Sequence, residues 1–212
     1  MLMLKVALTG GAGTGKTTVL RMFKELGAPI IEADKIAREV VAPGQPAYEE
    51  LRRAYGPEFF QEDGELNRSR MASLVFADPE ARCALERIVH PWMIRGIQTR
   101  LEEYARQGEA LALVECAVLF ECGIQDGYDR IIVVYAEPEE QVQRLSARDH
   151  REPGEISGIL QAEMPMSEKV ARADFVVDNR GSLENTRRQV ENIWAQLQKI
   201  ILTGEAKKVT VQ

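Results

Sequence analysis

Residues 8–18 read LTGGAGTGKTT, which matches G-x-x-x-x-G-K-[ST] with Gly10, Gly15, Lys16 and Thr17 at its fixed positions. Glycines let successive backbone N–H groups turn inward around an anion, because no Cβ blocks the conformations this requires. A helix that starts at the lysine adds its positive end. The lysine ammonium reaches the β- and γ-phosphates, and the Thr17 hydroxyl is offered to Mg²⁺. The candidate phosphate-binding residues are therefore Gly11, Ala12, Gly13, Thr14, Gly15, Lys16, Thr17 and Thr18. They predict a nucleoside triphosphate accompanied by Mg²⁺; the loop by itself does not distinguish ATP from GTP.

Three further groups carry charge suited to phosphoryl transfer. Asp34 ends a short apolar run in IIEADKIAREV, and Glu115 ends another in LALVEC. The carboxyl ends of parallel strands face the ligand crevice. Asp34 is then either the base that takes the acceptor proton or an N-cap for KIAREV. Glu115 either holds the metal or its waters or is a solvated strand end. Arg144, Arg148 and Arg151 recur at helical spacing in RLSARDHR, as a lid that closes on the triphosphate or as a solvated face. A GTPase switch would need D-x-x-G after the third strand and N-K-x-D after a later one. The chain has D-x-x-G only at 178–181, DNRG, and no N-K-x-D. A chain of 212 residues is also short for a large mechanical ATPase. A small-molecule kinase fits better.

The elements that must position these residues alternate. Strands are expected at 2–8, in APIIEAD, LALVEC, RIIVVYA and ADFVVDN, with helices between them, which implies an α/β fold with a parallel sheet covered on both faces. KTTVLRMFKELG carries Val19, Leu20, Phe23 and Leu26 on one stripe and ends at Gly27, where a C′ glycine belongs. Asp78 and Pro79 open one helix as N-cap and first helical residue, and a second helix is expected to restart after Pro91. Ser182 caps the last helix, whose buried stripe is Val190, Ile193, Trp194 and Leu197. Between 36 and 108 helices follow one another with no strand, so this segment reads as a helical insertion.

Composition narrows the classes. A net charge of −6 disfavours nucleic-acid or membrane partners. The apolar N-terminus reads as a strand rather than a signal peptide, and LALVECAVLFECGI is interrupted by Glu115 and Glu121 and too short to span a bilayer. A cytoplasmic protein is expected. Cys83, Cys116 and Cys122, with no C-x-x-C, read as buried free thiols, and two histidines exclude a His-rich metal site.

Beyond the loop, the motifs occur in an order that resembles the dephospho-CoA kinase family. They are ALTGGAGTGKTTV, LGAPIIEADKIAREVVAPG, YGPEFFQEDGELNRSRMASLVFADPEARCALERIVHP, VLFECG and MPMSEKVARADFVVDN followed by GSLENTRRQV. The resemblance runs from Leu4 to about Trp194. It implies a three-layer α/β/α fold with a five-stranded parallel sheet of order 2-3-1-4-5. The nucleotide-binding core would be 1–35, 109–140 and 168–200, the helical CoA (acceptor) domain 36–108, the lid 141–167 and a flexible tail 201–212. The implied reaction is phosphorylation by ATP of the ribose 3′-hydroxyl of dephospho-CoA, with MgATP and dephospho-CoA as the partners. By resemblance Asp34 is the base, Lys16 the loop lysine, Arg148 the lid arginine, and Asn179 lies near the adenine. Arg38 and His90 fall in the family's IAR and HP signatures beside the acceptor, where Glu115 is also placed. A solvated Arg38 and a His90 that caps the Pro91 helix are the structural alternatives. Monomer and small homo-oligomer stay open. Three departures stand out: Glu32 where the family often has Asp, Ala117 where it usually has Pro, and Glu163 where it often has Gln.

Overall fold

β1 (Leu4–Thr9) is buried at every residue except Lys5, as a strand covered on both faces must be. The computed structural model describes residues 3–149 and 153–204; Leu2, Arg151 and residues 205–212 of the expected tail lie outside them. β2 (Ile30–Glu32), β3 (Leu111–Glu115), β4 (Arg130–Tyr135) and β5 (Phe175–Asp178) complete a sheet of order β2-β3-β1-β4-β5, the order that the family resemblance implies. The pairings of β1 with β3 and β4, and of β4 with β5, are parallel. Their register sets Leu8 opposite Glu115, Thr9 opposite Val133 and Tyr135 opposite Asp178. The carboxyl ends of the central strands are therefore level, which is where an open α/β sheet binds ligands.

The chain divides into two compact units. One runs to Ile31 and resumes at Glu103; the other is Glu32–Glu102. In the first, α1 (Lys16–Glu25) and α9 (Leu183–Thr203) share one core with the sheet. Val19 and Phe23 of α1 and Val190 and Leu197 of α9 are fully buried, and Trp194 meets Phe23 edge-on at 6.5 Å between ring centroids. Local signals mark one end of each of these helices. Gly27 adopts φ 91° after α1, and the Asn185 N–H donates to Ser182 Oγ at the start of α9.

In the second unit, α2 (Ala33–Glu39), α3 (Pro46–Tyr55), α4 (Arg68–Ala77) and α5 (Pro79–Arg106) as far as Glu102 follow without a named strand among the described residues. Val41, Ala47, Leu51, Leu66 and Met71 form its core. Asp78 Oδ1 accepts from the Glu80 and Ala81 N–H groups, as its cap role requires. The expected restart after Pro91 does not occur, since α5 is one 28-residue helix through the proline. An interior proline costs about 3 kcal/mol or more. Burial of Met93, Ile97 and Leu101 beyond it offsets that, and Gly96 lets the helix approach Ile36, whose Cγ2 would lie 2.5 Å from any Cβ there.

The first unit continues through α6 (Pro138–Asp149), α7 (Pro153–Ala162) and α8 (Met166–Ala171) before β5. None of the three cysteines forms a disulfide, and only Cys116 is buried; Cys122 is half-buried and Cys83 lies exposed on α5, so the expectation of three buried thiols fails where the helix turns Cys83 outward. Among the described residues no helix is long and apolar enough to cross a membrane.

Leu197→Ala should destabilise the first unit by about 2–5 kcal/mol, the range for a fully buried leucine that leaves a cavity. Urea unfolding checks this, and a loss under about 1 kcal/mol would show that α9 is not part of the core.

Candidate active site

The loop between β1 and α1 has no apolar core of its own, so its shape is set by steric exclusion and by partners. Gly15 sits at φ 93° as the N-cap of α1, and a Cβ there would collide with Asn179 Nδ2. Gly10 passes so close to β4 that a Cβ would lie 2.5 Å from the Val134 carbonyl oxygen. Asn179 is buried just past β5. Its Nδ2 donates to Thr14 O at 2.8 Å, and its Oδ1 accepts from Thr186 Oγ1 at 2.9 Å. Thr14 Oγ1 in turn donates to Gly11 O at 2.9 Å. α1 begins with no side-chain cap and no acidic residue in its first turn, so its positive end faces the loop uncompensated. Lys16 Nζ lies back over the loop, donating to Gly10 O at 2.9 Å and Gly11 O at 3.0 Å.

A second segment lies on this loop. The Ala12 N–H donates to the Glu163 carboxylate, 3.0 Å from Oε2 and 3.3 Å from Oε1, and the Gly11 N–H donates to Met166 Sδ at 3.2 Å. The segment is anchored below by Lys169, which is fully buried on α8 and paired with Glu121 Oε1 at 2.8 Å. Glu121 Oε1 also accepts the Met164 N–H at 3.2 Å. Burial alone would push the Glu121 carboxyl up, but the hydrogen bonds from Lys169 and Met164 hold it below its ordinary value. Lys169 Nζ and Thr9 Oγ1 both donate to Ala117 O at 3.3 Å. That contact uses only a backbone carbonyl, so Ala117 serves it as well as the family's proline would.

Of the residues singled out by sequence, the structure brings the loop, Thr17, Thr18, Asn179 and Glu115 to the carboxyl edge of the sheet. Glu115 is buried at the end of β3, and the Cys116 N–H beside it donates to Leu8 O at 3.0 Å. Arg148 does not reach the loop. It is exposed at the end of α6, with Nε and Nη2 donating to the two carboxylate oxygens of Asp149 at 2.7 and 2.9 Å. That pairing raises its pKa further. Arg144, one turn earlier, is the arginine at the loop, and it donates to Asn179 O at 2.8 Å and to Thr14 O at 3.4 Å.

Asp34, Arg38 and His90 belong to the second unit. β2 ends at Glu32, so Asp34 sits in the first turn of α2 rather than at the strand end, and it is not the N-cap, a position that Glu32 fills. Arg38, in the last turn of α2, is exposed, like Asp34. His90 lies inside α5 and so caps nothing. It is half-buried, and burial draws its imidazole below the usual pKa against the opposing charge of Glu86. It lines a concavity along α5 with Glu86 and Arg87.

Sequence reasoning missed the anchoring pair Lys169–Glu121 and the buried Gln141 beside Gly11. The signal for the first was a lysine in a short helix following the Met164-Pro165 turn, which residue type alone reads as solvated. Among the described residues no cluster of three or more His, Cys, Asp or Glu could hold a metal ion. The oxygen donors offered at this edge of the sheet are the exposed Thr17 hydroxyl and the Glu115 carboxylate, which ends β3 opposite Leu8. Such a set fits a hard divalent cation that arrives with phosphate oxygens and keeps its waters.

Comparison with known proteins places this geometry. The family model for dephospho-CoA kinase matches residues 4–185. A dephospho-CoA kinase of Geobacter metallireducens is 45% identical over 195 residues, covering 92% of this chain and 96% of that protein. The crystal structure of TT1252 from Thermus thermophilus superposes with a TM-score of 0.79 at 34% identity, covering 93% of this chain and 99% of that one. The dephospho-CoA kinase from Campylobacter jejuni shares the fold, with a TM-score of 0.69 at 23% identity over 92% of this chain and 97% of its own. With a phosphate loop at the carboxyl edge of a 2-3-1-4-5 sheet and a match over most of its length, the chain belongs to the dephospho-CoA kinase family.

Proposed function

We propose that this protein transfers the γ-phosphoryl group of MgATP to the ribose 3′-hydroxyl of dephospho-CoA, giving CoA and ADP. The observation that carries the reading is the phosphate loop, built in its strand–loop–helix setting within a chain that matches the family from residue 4 to 185. The loop amides and the α1 N-terminus bind the phosphates. Lys16 exchanges its two carbonyl acceptors for phosphate oxygens, which are the stronger, charged partners. Thr17 would hold Mg²⁺, and Glu115 its waters; the ion, when bound, neutralises charge on the phosphate oxygens.

The acceptor hydroxyl must lose its proton as the new O–P bond forms. Asp34 is assigned as the group that takes it: an exposed carboxylate in the first turn of α2. Arg38 and His90 are assigned to the acceptor, and the helical unit that holds them to its recognition. Arg148 is assigned to the lid, leaving Asp149 to cover the charge that spreads over the transferred group. Asn179 is assigned to the adenine side of the nucleotide. Catalysis then rests on placement and electrostatics rather than on covalent chemistry.

ADP release measured with MgATP and, in turn, dephospho-CoA, AMP and adenosine should be rapid only with dephospho-CoA; release with another acceptor alone would overturn the assigned substrate. Asp34→Asn should keep ATP binding and lose about 10²–10⁴-fold in turnover, and near-normal turnover would show that another group is the base. Arg148→Ala should lower kcat by about 10²-fold, while an unchanged kcat would remove Arg148 from the lid role.

A further inference from the structure

We propose that Glu163 is an internal competitor for the nucleotide's phosphates, and that Gln141 is a further phosphate ligand which takes up its partner when Glu163 leaves. The proposal rests on the phosphate-loop reading and not on the identity of the acceptor.

Three side chains close on one point of the loop. A Cβ at Gly11 would lie 2.9 Å from Gln141 Nε2, 3.1 Å from Glu163 Oε2 and 3.1 Å from Met166 Sδ. Two of the three already engage the loop: both carboxylate oxygens of Glu163 lie within hydrogen-bond reach of the Ala12 N–H, and Met166 Sδ accepts from the Gly11 N–H. The amides of such a loop converge on an anion, and here the Ala12 N–H holds the chain's own carboxylate.

Gln141 supplies the independent observation. The residue is 3% exposed, and among the described residues its Nε2 has no hydrogen-bond partner. A buried donor without an acceptor is rare in folded proteins and calls for an explanation. It lies beside Gly11, whose amide donates to a thioether, a weak acceptor. A phosphate group brought to this point presents several charged oxygens, enough for the Gly11 and Ala12 N–H groups and for Gln141 Nε2 together. It cannot do so while Glu163 stays, because two anions cannot share the same amides at contact distance. Glu163 must swing away, and the Glu163–Met166 segment is thereby coupled to nucleotide. The affinity for triphosphate is lower than the loop alone would give by the work of removing the carboxylate.

The test is calorimetric titration of the full chain, without acceptor, using the magnesium complex of a non-hydrolysable ATP analogue and, separately, inorganic tripolyphosphate. Circular dichroism of each variant confirms folding. Glu163→Gln keeps the size and removes the charge, and it should tighten the analogue by about tenfold, the scale of one hydrogen bond to a charged group. The same gain is expected for tripolyphosphate, which has no base or sugar. Gln141→Met should weaken both ligands by about threefold to tenfold. Unchanged or weaker binding by Glu163→Gln, or a gain confined to the analogue, would overturn the competitor role. Unchanged or tighter binding by Gln141→Met would overturn the ligand role of Gln141.

Discussion

The hydrogen bond from Asn179 Nδ2 to Thr14 O holds the site in shape. A glycine-rich loop gains nothing from packing and loses more backbone entropy than any other sequence when it is ordered. Something outside it must fix the direction of its amides. Asn179 does this from the end of β5, and Thr186 on α9 fixes Asn179 in turn. Gly15 is then required for a second reason besides its positive φ: the space a side chain would need is filled by the asparagine amide. The sheet order puts the end of β5 one strand from β4, whose Val134 carbonyl closes the other side of the loop at Gly10. Loop, strand order and last helix therefore form one construction.

The segment after α7 completes that construction from the opposite direction. A lysine without solvent exposure is tolerable only with a charged partner and further acceptors, and Lys169 has Glu121 and the Ala117 carbonyl. Glu121 also accepts from the backbone at Met164. The pair thus ties α8, the turn after β3 and the start of the loop-covering segment together, and Glu163 and Met166 are delivered onto the loop amides. A phosphate site lined this way is ordered before nucleotide arrives, by contacts that nucleotide must replace.

Much of this was legible from local rules. The Walker-type spacing, the Asp78 and Ser182 caps, the Gly27 stop and the alternating strands and helices are each decided within a few residues, and the structure keeps them. Failures occur where distant partners decide. Pro91 is a helix breaker locally, yet the buried residues after it carry α5 straight through. Arg144 and Arg148 are one turn apart, and spacing cannot tell which meets the loop; the position of Asn179 selects Arg144, while Arg148 finds its neighbour Asp149. Lysine is the residue type least expected in a core, and nothing near Lys169 in sequence announces Glu121. Asp34 falls in α2 and not at the end of β2, and the switch from strand to helix at Glu32 leaves no side-chain cap to announce it.

On the proposed reading, this loop delivers a phosphoryl group to one hydroxyl of one acceptor. The most direct measurement is phosphorus NMR of the product formed from ATP and dephospho-CoA. A new phosphomonoester resonance coupled to the ribose 3′ proton, appearing in step with ADP, is the expected result. ADP appearing together with free inorganic phosphate, or a phosphomonoester at any other position, would contradict it.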